Sequence, residues 1–103
     1  MKIPNGEVAF IDETKLSGYC LNELHPMGRH KARVFQAVEI SDSVILRELL
    51  LEAICSEQAV FERVNEYGTF YSIAFYFNCA LIKSVWMIRA EENFPRLVTC
   101  YVA

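Results

Sequence analysis

The chain lacks the short motifs by which several enzyme classes are recognised. It has no GxGxxG or GxxxxGK[ST] loop for phosphates, no HExxH for zinc and no GxSxG for an activated serine. It has only two histidines, and its four cysteines, Cys20, Cys55, Cys79 and Cys100, form no CxxC pair. Because a structural zinc site needs four Cys or His ligands, usually in closely spaced pairs, we expect no structural zinc.

Long apolar runs are also missing. The longest stretch without a charge lies between Glu66 and Lys83 and has sixteen residues, fewer than the roughly eighteen that suggest a membrane span. The N-terminal MKIPNGEVAFIDE contains no apolar run of signal-peptide length. Scattered cysteines in a chain with a full core are typical of small buried residues in a reducing compartment. We therefore expect a cytoplasmic protein with no membrane contact, with a disulfide as the alternative.

The composition is that of a globular domain. The 103 residues are 53% hydrophobic, 13% aromatic and 22% charged, which excludes intrinsic disorder. The length, together with the absence of linkers and repeats, predicts a single domain over residues 1–103. A net charge of −3 argues against a broadly cationic nucleic-acid-binding surface. The acidity is local, however, because residues 38–66 carry seven Asp/Glu and only two Lys/Arg.

Helical patterns occupy the first half of the chain. Asp12 is a predicted N-cap for a short helix over 13–21, and a second helix is predicted over about 28–38. The Ser41-Asp42 pair caps a third predicted helix over 43–57. The apolar stripe of this third helix consists of Ile45, Leu46, Leu49, Leu50, Ala53 and Ile54.

The second half is dense in the aromatic and β-branched residues that favour strands. Strands are predicted over 69–77, 81–89 and 96–102, with a tight turn at Asn78-Cys79. A further edge strand is predicted over 59–64. Helices followed by strands predict an α+β fold, in which two or three N-terminal helices pack on one face of a C-terminal antiparallel sheet of three to four strands.

One segment, HPMGRHKARVF, holds both histidines and three of the ten basic residues. If a helix begins within it, Lys31 lies on the apolar face with Phe35, and His30 flanks that face. A lysine directed at the body of a domain is costly unless its charge is used, and a helix start attracts anions. The segment therefore predicts a phosphate-binding or acid/base site of His25, His30 and Lys31. In the alternative, Lys31 extends to solvent and the histidine only caps or packs.

Strand alternation predicts a second cluster. Ser84 and Trp86 share one face of their strand, as Thr99 and Tyr101 do in the last strand. Antiparallel pairing is predicted to bring these four side chains together as a patch of hydroxyls and rings. The residues predicted to face the helices instead are Val85, Met87, Val98 and Cys100. The alternative is an ordinary half-exposed sheet face.

Together these segments resemble an uncharacterised bacterial domain family. The resemblance rests on KLSGYCLNELHPMGRHKARVF with its HPxGxHKARxF motif, on the turn EYG, and on SVWMIRAEENFPRLVTCYV. Members of that family are found alone, beside a small SH3-like partner, or as the C-terminal module of polymorphic toxins. The family in turn looks like part of the barnase–EndoU–colicin–RelE group of small metal-independent ribonucleases, which also place helices before an antiparallel sheet.

The resemblance implies RNA cleavage by attack of the ribose 2′-OH on the adjacent phosphate, with no cofactor. Histidine suits the proton transfers because its pKa, about 6.5, lies near the working pH. His25 and His30 are therefore predicted to transfer protons and Lys31 to balance phosphate charge. Thr99 and Tyr101 are predicted to donate hydrogen bonds to the phosphate within the catalytic site.

The predicted substrate contacts extend beyond this catalytic group. Ser84 is expected to bond the phosphate and Trp86 to stack on a base, while Arg29, Arg33 and Arg96 complete the substrate-binding set. The leading hypothesis is thus a toxin-like ribonuclease with an RNA substrate and a small cognate inhibitor protein. The alternative is a non-catalytic protein-interaction module, the partner-binding member of a two-protein bacterial operon. The apolar composition would also fit a homodimer.

Overall fold

The chain folds as helices followed by an antiparallel sheet. A computed structural model describes residues 1–16, 35, 40 and 42–103. In these residues a 3-10 turn, Gly6–Val8, precedes the helical turn α1 (Glu13–Lys15) and the helix α2 (Ser43–Ser56). The strands that follow are β1 (Ala59–Asn65), β2 (Gly68–Phe77), β3 (Ala80–Arg89) and β4 (Pro95–Val102). The predicted α+β fold with a C-terminal antiparallel sheet is confirmed.

Both described helical elements begin at the predicted side-chain caps. The Asp12 carboxylate accepts a hydrogen bond from the Thr14 amide at 3.0 Å, and the Asp42 carboxylate accepts one from the Val44 amide at 2.8 Å. These bonds satisfy amides that have no partner within the first helical turn. Of the second predicted helix only Phe35 is described, with helical backbone and a buried side chain. The remainder of the first two predicted helices lies outside the described residues.

The helix α2 packs against the sheet through most of its predicted stripe. Leu46, Leu50, Ala53 and Ile54 are buried. Ile45, predicted to join them, is 42% exposed. Since successive residues rotate by about 100°, Ile45 lies at the margin of the stripe, outside the contact with the sheet. No described helix combines the length and the hydrophobicity that a membrane span requires.

The sheet is a meander in which each strand pairs with the next. Its order among the described residues is β1-β2-β3-β4, and the predicted edge strand β1 is confirmed. Beyond β4, Phe10 forms a single parallel bridge: its amide donates to the Pro95 carbonyl at 2.9 Å, and its carbonyl accepts from the Leu97 amide at 3.0 Å. We call the face that meets the helices the inner face. Its core residues are Ile73, Phe75, Ile82, Trp86, Leu97 and Cys100.

Two turns fix the strand registers. Asn78 and Cys79 both have positive φ, 48° and 63°, as a two-residue hairpin turn requires, so the predicted turn is confirmed. The β1–β2 turn is held by the Asn65 side chain, whose oxygen accepts from the amides of Tyr67 and Gly68 at 2.9 and 3.3 Å. Each turn joins strands that are paired directly beyond it.

The described cysteines differ in their surroundings. Cys100 is fully buried in the core, as expected of a small apolar residue. Cys55 and Cys79 are exposed, contrary to that expectation. Cys55 lies in the last turn of α2 outside the buried stripe, and Cys79 occupies the hairpin turn.

Candidate functional site on the outer face of the sheet

Ser84 and Trp86 lie in the core rather than in a surface patch. Trp86 is 0% exposed, and its indole N–H donates to the Ser84 hydroxyl at 2.9 Å. That hydroxyl donates in turn to the Ile73 carbonyl at 2.9 Å. The two bonds satisfy polar groups that would otherwise be costly to bury. The prediction that these side chains form a patch with Thr99 and Tyr101 is therefore wrong, and a fully buried indole has no face on which a base can stack.

The strand register and a β-bulge at Val98 decide which side chains of β3 and β4 share a face. Val85 pairs with Thr99, whereas Trp86 pairs with Leu97, so Val98 is an extra residue in β4. The bulge interrupts the simple alternation that the prediction assumed. Leu97 and Cys100 consequently share the inner face with Trp86.

The set predicted to face the helices is partly wrong, because the opposite face of β3 is the buried one. Cys100 is on the inner face as predicted. Val85 and Met87 alternate with the buried Ser84 and Trp86 and therefore lie on the opposite face, which we call the outer face.

Three predicted site residues share that outer face along β4. Arg96 pairs with Met87, Thr99 with Val85, and Tyr101 with Lys83. Without the extra residue at the bulge, Arg96 would point away from Thr99 and Tyr101. The outer face thus holds a guanidinium and two hydroxyls along one strand. The five other predicted site residues lie outside the described residues: His25, Arg29, His30, Lys31 and Arg33.

The guanidinium of Arg96 is held on several sides. Its Nε and Nη2 donate to the two carboxylate oxygens of Glu92, each at 2.7 Å. Its central carbon lies 5.0 Å from the ring centres of both Phe10 and Phe94. The hydrogen bond from Arg96 lowers the pKa of Glu92, with a further lowering by the charges of Arg96 and Arg89. The same bond raises the pKa of Arg96, so this side chain remains cationic.

A pocket of about 620 Å³ opens beside Arg96 on the outer face. Its charged lining is balanced, with three cations and three carboxylates among the described residues: Lys15, Arg89, Arg96, Asp12, Glu66 and Glu91. Phe70 and Met87 supply apolar surface, and Phe70 is itself covered by Arg63, whose guanidinium carbon lies 4.2 Å above the ring centre. Phe10 and Tyr67 add rings at the margin, and they are 45% and 66% exposed.

The sequence prediction missed Arg89 as a neighbour of Arg96. The signal was present, because Arg89 ends β3 and Arg96 is the second residue of β4 after a short connection, so the two residues must be near each other in an antiparallel pair. The distance from Arg89 Nε to Glu92 Oε1 is 3.9 Å, so one carboxylate is shared between the two arginines. Chemically, this end of the pocket combines fixed positive charge with exposed rings, which suits a planar group that carries an anion.

Metal ligation is not suggested by the part of the chain that the structure describes. No group of three or more His, Cys, Asp and Glu side chains is arranged there to hold a metal ion. Both histidines lie outside the described residues, so this observation concerns only the sheet, α1, α2 and the N-terminal segment.

Comparison with known proteins gives one relationship. Searches of the curated proteins and of the solved structures find no match to the chain. A family model matches residues 2–103, which is nearly the whole chain. The chain therefore belongs to the family described as a domain of unknown function, DUF6883.

Proposed function

We propose that the chain is a small endoribonuclease of toxin type that acts in the bacterial cytoplasm without a metal. The proposal starts from the HPMGRHKARVF segment and from the likeness of this motif to the small ribonuclease group. The structural observation that supports it is the alignment of Arg96, Thr99 and Tyr101 on the outer face of β4, beside a pocket that also holds Arg89.

RNA would bind across this outer face. Arg89 and Arg96 offer charge to backbone phosphates, while the exposed rings of Phe10 and Tyr67 offer surfaces on which bases stack. The carboxylates in the same pocket would repel a closely spaced series of phosphates. We therefore expect binding to a short stretch of single-stranded RNA, at one or two phosphates, rather than along an extended backbone.

Cleavage would follow the 2′-hydroxyl route. One histidine, His25 or His30, removes the proton of the 2′-hydroxyl, and the 2′-oxygen forms a bond to phosphorus. The bond from phosphorus to the 5′-oxygen breaks, and the other histidine protonates that oxygen. The products are a 2′,3′-cyclic phosphate and a 5′-hydroxyl.

The reaction also requires that the negative charge on the pentacoordinate phosphorane be stabilised. Lys31 would balance this charge, and the hydroxyls of Thr99 and Tyr101 would donate hydrogen bonds to the phosphoryl oxygens. Arg29 and Arg33 would contact flanking phosphates. Ser84 and Trp86 have no part in this scheme because both side chains belong to the core.

The test is RNA cleavage by purified protein in EDTA, with the wild type compared with His30→Ala plus Lys31→Ala. We expect the wild type to produce fragments ending in cyclic phosphate, and the variant to lose at least a hundredfold in rate, since general acid–base catalysis contributes about that much. Lys2→Ala is the matched control, because Lys2 is an exposed lysine that bonds the Ser56 carbonyl near β1, away from the pocket. Intact RNA with the wild type, or equal cleavage by both proteins, would refute the proposal.

A second candidate function is the non-catalytic interaction module. The observation that favours it is the exposure of apolar side chains on the edge strand β1, which we consider below. The cleavage assay separates the two functions, because an interaction module leaves RNA intact. For the ribonuclease we expect a cognate inhibitor protein, since a toxin of this type must be neutralised in the cell that makes it.

A further inference from the structure

The edge strand β1 is unusually open for a strand with so many apolar residues. Six of its seven residues are exposed, and among the described residues it pairs with one strand only, β2. At its start the Ala59 amide donates to the Met1 carbonyl at 2.7 Å, and the open part of the edge follows. Val60, Phe61 and Val64 are 59%, 54% and 65% exposed. A sheet edge with unpaired backbone groups and apolar side chains is a template for pairing with another strand.

A bulge in β1 sorts its side chains by face. Phe61 pairs with Tyr71 and Arg63 with Phe70, so Glu62 is the extra residue. The ring of Phe61 packs edge-on against Tyr71, which faces inward beside Trp86, so Phe61 lies on the inner side. The Glu62 carboxylate accepts a hydrogen bond from the Ser72 hydroxyl at 2.5 Å, and Arg63 covers Phe70. Glu62 and Arg63 are thus neighbours on the outer side.

The side chains of β1 are complementary to those of a second, antiparallel copy of the same strand. When two β1 strands lie antiparallel about a twofold axis between positions 62 and 63, Glu62 lies opposite Arg63 of the partner subunit, and the pair occurs twice. Phe61 then lies opposite Val64 of the partner subunit on the inner side. Registers centred on Glu62 or on Arg63 instead place two Glu62 or two Arg63 side chains opposite each other, which is unfavourable.

We propose that β1 is the site at which a second copy of this chain binds, and that the two sheets join there as one continuous sheet. Charge complementarity selects the copy and the register, and the apolar pairs supply buried area. A single pair of seven-residue strands is a small interface. The dimer therefore forms in a concentration-dependent equilibrium with the monomer.

Charge reversal tests the register directly. Sedimentation velocity on the full chain, over a range of concentrations, gives the dimer dissociation constant. Glu62→Arg and Arg63→Glu each place like charges opposite each other twice, so we expect each to raise this constant at least about tenfold. The double variant, Glu62→Arg with Arg63→Glu, restores the opposite-charge pairs, and we expect it to return to within about threefold of the wild type.

Two controls keep the result interpretable. Glu48→Arg makes the same charge change on an exposed position of α2 and should leave the dissociation constant unchanged. Circular dichroism establishes that each variant is folded. A wild type that stays monomeric at all concentrations, an equal effect of Glu48→Arg, or a folded double variant that does not recover would each overturn the proposal.

Discussion

At the scale of single residues, Arg96 is a cation whose position is fixed by its neighbours. Its two bonds to Glu92 and its two ring contacts fix the guanidinium before any ligand arrives. A side chain that is already ordered loses little entropy on binding. The Glu92 carboxylate also neutralises part of the positive charge of Arg96, so a phosphate bound there would share the guanidinium with Glu92.

Gly68 is a residue at which no side chain fits. A Cβ atom there would lie 2.2 Å from the Ile88 carbonyl oxygen and 2.9 Å from the Arg89 Cα, both rigid parts of the neighbouring strand. We expect Gly68→Ala to lower the free energy of unfolding by about 3 kcal/mol, because the β2–β3 pairing must open to relieve the overlap.

Urea denaturation measures this loss, and Gly6→Ala is the matched control. At Gly6 the nearest atom to an added Cβ is the Ile54 carbonyl oxygen at 3.1 Å, so only a small shift is needed. A Gly68→Ala protein as stable as Gly6→Ala would contradict the close approach of the two strands.

At the scale of elements, local sequence predicts most of the fold. Asp12 and Asp42 predict where the helices start, because their side chains can accept hydrogen bonds from the amides that follow. The strand bounds follow from the density of aromatic and β-branched residues. The bulge at Val98 could not be predicted, because an extra residue within a run of apolar residues does not visibly change the alternation of polar and apolar positions. Its consequence is large, because it decides which side chains accompany Arg96.

The Ser84–Trp86 pair shows a second limit of the pattern. Alternation correctly places the two residues on one face, but it does not say which face is buried. A serine two positions from a tryptophan can satisfy the indole N–H within the core, as it does here. The Ser-x-Trp spacing was therefore a sequence signal that the two side chains could be buried together. For the same reason, a serine hydroxyl near a tryptophan is weak evidence for a surface site.

The β2–β3 hairpin leads to a prediction about its turn. Cys79 has φ 63°, a left-handed conformation that costs a non-glycine residue about 1–2 kcal/mol, and glycine is the residue this turn favours after asparagine. We therefore expect Cys79→Gly to raise the free energy of unfolding by about 0.5–1 kcal/mol, after the greater freedom of glycine in the unfolded chain is subtracted.

Thermal or urea denaturation measures the gain. Cys55→Gly is the contrasting variant, because it places glycine in the last turn of α2 and should destabilise the protein. A loss of stability in Cys79→Gly would mean that the turn does not hold both residues at positive φ.

At the scale of the whole molecule, the net charge limits the RNA binding that we propose. The net charge is −3, and the proposed pocket offers few cations beside its carboxylates. If Arg89, Arg96 and Lys31 contact phosphates, the logarithm of the affinity should fall with the logarithm of salt concentration with a slope of about −2.

Fluorescence anisotropy with labelled single-stranded RNA measures this slope in a His30→Ala protein, which should bind without cutting. Arg89→Ala should reduce the slope by about 0.7, because one phosphate contact is lost. Lys2→Ala, which changes charge away from the pocket, should leave it unchanged. A slope much steeper than −3 would indicate an extended phosphate track instead of a compact site.

The bridge at Phe10 limits how far assembly can proceed. The amide and carbonyl of Phe10 are bonded to Pro95 and Leu97, so the backbone of the N-terminal segment already occupies the start of the β4 edge. A twofold contact at β1 uses the same surface of both molecules, so a dimer joined there has no β1 edge left. Further growth of the sheet would have to use β4, where Phe10 already occupies the backbone groups at Pro95 and Leu97, so the bridge narrows the edge that is open to strand addition.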